Sequence, residues 1–302
     1  MNTKANAAEA PSVSNSYSTQ ASPSVHSRAI GEIIRDARSL GIAEVEKVLV
    51  YQRDKNLRFG EAAVALGLAS EEDVLHALAQ QFHYPLANAE RRVSSPELVV
   101  LNQPFSVQAE AVRAARSQVT MRLHDGAAPR MALAVISPET GDGKTYFAAN
   151  LAVALAQLGG RTLLVDADMR GPRQHEVFRV PNTAGLSNVL SGRAEAQVIQ
   201  SVEGVPALFV LPGGSIPPNP LELLERPAFG LLMRELSSKF DHVIVDTAAA
   251  TYGADACVTA ARCGAALVLA RKNACRYDAL QDLVASLSGS PVRMLGAVMN
   301  EY

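Results

Sequence analysis

A doubly wound, mainly parallel α/β sheet with a small helical domain in front of it is predicted for this 302-residue sequence by three observations. From about residue 131 onward, short apolar runs alternate with segments of helical periodicity. The runs are apolar at consecutive positions, as in Thr162-Leu163-Leu164-Val165, which suits strands covered on both faces. A glycine-containing turn, Pro138 to Thr145, stands between the first run and the helical pattern after it, where a loop can wrap backbone N–H groups around phosphate.

Residues 1 to about 27 are rich in Ser, Ala, Asn and Pro and are expected to be disordered, because they offer too little apolar surface to offset ordering. Residues 28–90 read as a helical domain with an internal repeat. Gly31-Glu32 recurs as Gly60-Glu61, and Val45, Leu49 and Gln52 recur as Val74, Leu78 and Gln81, always 29 residues later. A constant offset predicts a duplicated helical hairpin. A polar, Pro-containing stretch from about residue 87 leads into a linker over 91–104, and 105–302 forms the α/β domain. Strands are expected at 131–136, 162–166, 207–211, 242–246, 265–270 and 294–299. Helices are expected over Tyr146–Leu158, Phe229–Phe240, Ala254–Arg262 and Tyr277–Leu287.

Composition narrows the function. A hydrophobic fraction of 48% supports a core, and a net charge of -2 gives no global pull toward nucleic acid or an anionic membrane. The odd set Cys257, Cys263 and Cys275 lacks metal-ligand spacing and reads as small apolar residues in a reducing compartment. No apolar run approaches the roughly 20 residues needed to span a bilayer, and no apolar signal region opens the chain. The expectation is a cytoplasmic protein with any membrane attachment made through a partner.

The chemistry concentrates at strand ends. In the loop, Lys144 is placed to neutralise the β- and γ-phosphates of ATP and Thr145 to put its hydroxyl on Mg²⁺. Asp166 and Asp168 end one buried strand and Asp246 ends another; ionised carboxylates there need a metal or donors to offset their desolvation. The loop departs from G-x-x-x-x-G-K-[ST] in carrying Pro138 at the first position, and Glu139 stands five before Lys144, where MinD-type ATPases carry a second lysine.

The helical segment resembles the N-terminal domain of type II secretion ATPases, through Arg58-Phe59-Gly60-Glu61, Gly67-Leu68-Ala69-Ser70-Glu71-Glu72 and Ala77-Leu78-Ala79-Gln80-Gln81. That resemblance implies cyclic di-GMP as a ligand. Against it, Ala29-Ile30-Gly31 replaces an Arg-Leu-Gly and removes one phosphate contact.

Residues 105–302 resemble the cytosolic domain of bacterial protein-tyrosine kinases of exopolysaccharide chain-length systems; with the helical domain in front, they resemble the branch called EpsG type. The shared pieces are the Ser137–Thr145 loop, Asp166-Ala167-Asp168-Met169-Arg170, Asp246-Thr247, the series Glu110, Arg113, Arg116, and Pro217-Pro218-Asn219-Pro220 before Glu222-Leu223-Leu224. The resemblance implies that Gly141, Asp142, Gly143, Lys144, Thr145 and Tyr146 hold ATP, with Asn300 against adenine. Thr145, Asp168 and Asp246 would hold Mg²⁺, Asp166 would orient or deprotonate the acceptor tyrosine, and Arg170 would stabilise phosphate charge. Glu110, Arg113 and Arg116 would mediate ring-like self-assembly into a homo-oligomer. A transmembrane polysaccharide co-polymerase would activate the kinase at the inner face of the membrane. Two departures stand out. Asp246-Thr247-Ala248-Ala249 lacks the family's two prolines, which predicts a freer loop, and Tyr302 alone replaces a terminal tyrosine cluster as phosphoacceptor. A non-kinase ATP-binding scaffold and a MinD-like switch are the alternatives.

Overall fold

The computed structural model describes residues 29–81, 95–123, 130–193 and 197–301, and the chain divides into two compact units, 1–82 and 83–302. The whole expected tail, residues 82–90 of the expected helical domain, residues 91–94 of the linker and Tyr302 fall outside the described residues.

The first unit is helical. Helices α1 (Ile30–Arg38) and α2 (Ile42–Lys55) make one hairpin, and α3 (Phe59–Ala65) and α4 (Glu71–Gln81) make the next. Each helix of the second hairpin starts 29 residues after its counterpart, so the sequence repeat is a structural repeat. The repeat extends to the caps. Glu44 accepts from the Gly41 N–H at 2.8 Å, and its counterpart Asp73 accepts from the Ser70 N–H at 2.7 Å, each satisfying an orphan helix donor. Ile34, Val48, Ala62, Ala63 and Ala77 form the small core. Gly60 lets α3 lie against α4, since a Cβ there would stand 2.6 Å from Val74 Cγ1.

The second unit begins with α5 (Val99–Asn102) and α6 (Val107–Leu123), then β1 (Ala132–Ile136), α7 (Lys144–Ala156) and β2 (Thr162–Asp166). It continues through α8 (Gln174–Phe178), α9 (Leu186–Leu190), β3 (Gln200–Ser201), β4 (Leu208–Leu211), α10 (Pro220–Glu225), α11 (Pro227–Lys239) and β5 (His242–Asp246). A 3₁₀ turn over Ala250–Tyr252 leads to α12 (Asp255–Cys263), β6 (Gly264–Arg271), α13 (Tyr277–Leu287) and β7 (Arg293–Asn300). The sheet order is β3-β4-β2-β5-β1-β6-β7, parallel except where the two-residue β3 runs antiparallel to β4.

Side-chain alternation along the strands divides the core in two. Leu133, Val135, Leu164 and Ile244 pack under α6 and α7, while Ala134, Ile136, Val165 and Val245 pack under α11, α12 and α13. Each fully buried leucine or isoleucine contributes about 1.5–3 kcal/mol. Helix α7 is buried on nearly every side, from Phe147 through Ala156.

Part of that cover was expected to be linker. Residues 95–104 instead belong to the α/β unit: Leu98 and Val100 are fully buried. The buried Asn150 of α7 accepts from the Val100 N–H at 3.1 Å and donates to the Glu97 carbonyl at 2.9 Å. One asparagine thereby satisfies backbone groups that a short buried helix would leave unpaired. Among the described residues no helix is long and apolar enough to cross a membrane.

Candidate nucleotide site

The carboxyl ends of β1, β5 and β2, three neighbouring strands, deliver the loop lysine and the acidic residues to one edge of the sheet. After β1 the chain turns through Gly141 and Gly143, at φ +86° and +94°, a conformation glycine adopts without strain. The buried Asp142 carboxylate accepts from the Glu139 N–H at 2.9 Å and so braces the loop from inside. Asn300, at the end of β7, donates to the Asp142 carbonyl at 3.0 Å. Its amide is thus engaged with the phosphate loop.

Lys144 opens α7 almost fully buried, donating to Ser137 Oγ at 3.0 Å. Burial lowers its pKa, while Asp246, Asp168 and Asp142 pull the other way. Tyr146, in the same turn, is half-buried; burial and the Glu97 carboxylate raise its phenol pKa.

Asp166 and Asp246 are register partners on β2 and β5, so their side chains emerge together. Asp166 Oδ2 accepts from the N–H groups of Arg173 and Gln174, both at 2.9 Å. Asp246 Oδ2 accepts from Gln174 Nε2 at 2.9 Å. The Oδ1 atoms of both aspartates are buried with no hydrogen-bond partner. Burial raises both carboxyl pKa values, Asp246 to about 6; the Asp246 charge adds to the rise at Asp166, and the Asp168 charge adds to the rise at both. Asp168 lies beyond the end of β2 in a turn, its Oδ1 accepting from the N–H groups of Arg170 and Gly171 at 3.1 Å each.

Two orphaned carboxylate oxygens, with the Thr145 side chain near Asp246, fit a divalent cation. Among the described residues no three His, Cys, Asp or Glu side chains close into a metal cage of their own. That suits magnesium, which takes one or two carboxylates and completes its shell with phosphate and water. Asp246, with Thr145 beside it, therefore offers donors that fit Mg²⁺ next to a triphosphate.

The loop after Asp246 is not free, contrary to the expectation from its missing prolines. Ala250 and Thr251 donate to the Ser137 and Pro138 carbonyls at 3.0 Å each, and Thr247 Oγ1 donates to the Val135 carbonyl at 2.8 Å. Hydrogen bonds to β1 do the restraining that proline rings would do.

Two functional neighbours carry no motif signal. Gln174 is fully buried and its Nε2 bridges Asp246 and the Thr145 carbonyl, at 2.9 and 3.1 Å. Asp255, buried at the start of α12, grips Arg170 through Nε and Nη2 at 3.1 and 3.0 Å. Gln174 lies in the polar run Arg173-Gln174-His175-Glu176 and Asp255 at the start of an expected helix, so neither stood out in the sequence. Glu110, Arg113 and Arg116 lie on α6, well apart in sequence from these strand ends. Glu110 pairs with Arg113 at 2.7 Å, and Arg116 donates to the Ala154 carbonyl at 3.0 Å.

Residues 133–302 match the CobQ/CobB/MinD/ParA nucleotide binding domain. The chain is 31% identical over 216 residues to the putative tyrosine-protein kinase CapB of Staphylococcus aureus, covering 70% of this chain and 92% of that one. It is 29% identical over 210 residues to the tyrosine-protein kinase wzc of Salmonella typhimurium, where the match covers 70% of this chain but only 29% of the longer protein. The kinase domain of the Escherichia coli tyrosine kinase ETK superposes with a TM-score of 0.65 at 29% identity, covering 71% of this chain and 84% of that one. The chain belongs to the CobQ/CobB/MinD/ParA nucleotide-binding family and, within it, to the bacterial tyrosine-protein kinases.

Proposed function

We propose that the chain is an ATP-dependent protein-tyrosine autokinase that regulates exopolysaccharide polymerisation, chain length and export. The observation that carries this reading is the convergence of Lys144, Asp168 and the paired Asp166 and Asp246 at one sheet edge, with two carboxylate oxygens left without partners. In this reading the Gly141–Thr145 backbone and Lys144 bind the β- and γ-phosphates. Thr145, Asp168 and Asp246 would hold Mg²⁺, which would offset the negative charge of the phosphates. Asp166 orients the acceptor phenol and takes its proton; a phenol pKa near about 10 makes such a base useful at neutral pH. Arg170, held by Asp255, adds positive charge at the mouth of the site.

The test is phosphotyrosine formation by purified protein with Mg-ATP and the cytosolic segment of the co-polymerase. Signal that vanishes in Lys144→Met supports the kinase; ATP binding without phosphotyrosine supports a non-kinase scaffold. Self-assembly through Glu110, Arg113 and Arg116 belongs to the same proposal. Light scattering should show Arg113→Ala/Arg116→Ala as a monomer, and an unchanged oligomer would remove that role. Recruitment to the inner membrane face by the co-polymerase is tested by localising the protein with and without that partner. For the helical unit, the secretion-ATPase resemblance supports cyclic di-GMP binding, which isothermal titration of residues 28–90 would detect as heat.

A further inference from the structure

The turn that supplies the hydrogen-bond donors of Asp166 is anchored from outside the sheet. Arg173, just before α8, and Gln174, its first residue, both present their N–H groups to Asp166 Oδ2 at 2.9 Å. Gln174 also holds Asp246 through its side chain at 2.9 Å. Both strand-end carboxylates therefore depend on where this turn sits. Helix α8 is five residues long, too short to fix its own place.

The anchor is Glu97. Its carboxylate accepts from Arg173 Nη2 at 2.5 Å, from 76 residues away in sequence. Its main chain is bound elsewhere: the Glu97 carbonyl accepts from Asn150 Nδ2 at 2.9 Å, and Asn150 lies on α7, the helix that begins with Lys144. Two further hydrogen bonds hold the segment, from the Val100 N–H to Asn150 Oδ1 at 3.1 Å and from the Ser95 N–H to the Val177 carbonyl of α8 at 3.4 Å. Leu98 and Val100, both fully buried, fasten it to the core. Glu97 thus joins the phosphate-loop helix, through its backbone, to the turn beside Asp166, through its side chain.

The exposure of the pair separates position from stability. The Arg173 side chain is 49% exposed and that of Glu97 35%, and ion pairs so placed add little to folding. A small displacement of a reacting group, by contrast, slows a reaction without disturbing the fold.

We propose that Glu97 is a positioning residue for phosphoryl transfer: acting through Arg173, it sets the Asp166 carboxylate against the phosphate loop. The inference rests on the kinase reading, in which Asp166 takes the proton of the acceptor phenol. It makes the segment in front of α6 part of the working site.

The experiment gives the full chain Mg-ATP and a soluble Glu-Tyr copolymer as acceptor, and compares wild type with Glu97→Ala, Arg173→Ala and the double variant. Both substitutions keep the backbone groups that bind Asn150 and Asp166. Each single variant should lower kcat by about threefold to fivefold, the most that an exposed pair can impose. KM for ATP and the melting temperature should stay at their wild-type values, and the double variant should be no slower than the slower single one. Wild-type kcat in both single variants overturns the inference and leaves the kinase reading standing. Losses that multiply in the double variant overturn it too, since the two residues then act separately. A loss carried by KM for ATP assigns Glu97 to nucleotide binding instead, and a melting temperature that falls in step with kcat reduces it to a fold contact. No copolymer labelling by wild type removes the kinase reading and this inference with it.

Discussion

Asp166 and Asp246 stand side by side on β2 and β5, each buried, each with one oxygen hydrogen-bonded and the other without a partner. Two adjacent buried carboxylates are costly when both are ionised. This pair is therefore a place where stability has been given up for binding, and it sets the pH behaviour of the nucleotide-free protein.

In the folded protein burial raises the Asp246 pKa from its ordinary 3.8 to about 6, and Asp166 is raised in the same direction. Between those values the folded chain binds more protons than the unfolded chain, so stability is highest at the acid side and falls as pH rises through the window. Thermal melts of wild type and Asp246→Asn without nucleotide should diverge from about pH 4 to about pH 6, with wild type losing ground. Parallel curves would show that the pair carries no such cost.

Gln174 should act as a positioning residue. Gln174→Ala removes the bridge between Asp246 and the Thr145 carbonyl, and leaving those buried acceptors unpaired should cost about 1–3 kcal/mol of stability. With the phosphate loop intact, kcat should fall more than KM for ATP rises. Unchanged melting and kcat together would show the bridge to be incidental.

Much of this unit was readable in advance. All six expected strands reappear within a residue at either end, because runs such as Leu163 to Val165 are apolar on both faces and lie between clear turn signals. The phosphate loop, Lys144 and the three aspartates were legible because spacing along one strand or turn encodes them. What escaped depends on distant contacts. Leu98 and Val100 looked like linker since the Val100 N–H finds its partner only in Asn150, 50 residues further on. Gln174 and Asp255 gain their partners only when β2, β5 and α12 are brought together. Antiparallel β3 is two residues long and offers no periodicity to read.

Arg170 and Asp255 should behave as one unit. Asp255 is almost wholly buried while Arg170 keeps about a third of its side chain exposed, so solvent tempers the pair. Arg170→Ala strands a buried carboxylate and should cost about 1–3 kcal/mol. Adding Asp255→Asn should recover much of that loss, and a double-mutant cycle by chemical denaturation measures the coupling. Strict additivity would contradict it.

In the helical unit, two glycines at matching repeat positions should respond differently to alanine. At Gly60 the new Cβ would stand 2.6 Å from Val74 Cγ1, so overpacking should cost about 1–3 kcal/mol. At Gly31 the nearest atoms belong to the Phe59 ring at 3.6 Å, an ordinary contact. Gly31→Ala should be neutral or stabilising by up to about 1 kcal/mol. Circular dichroism melts of the two variants check the contrast.

In the proposed reading the orphaned oxygen of Asp246, near Thr145 and Lys144, serves a metal-bound triphosphate. Isothermal titration of a non-hydrolysable ATP analogue, with and without Mg²⁺, tests it in wild type and Asp246→Asn. Magnesium should tighten binding by about tenfold or more in wild type, a gain of about 1.4 kcal/mol, and by far less in the variant. Equal magnesium-dependent tightening in both proteins would contradict the account.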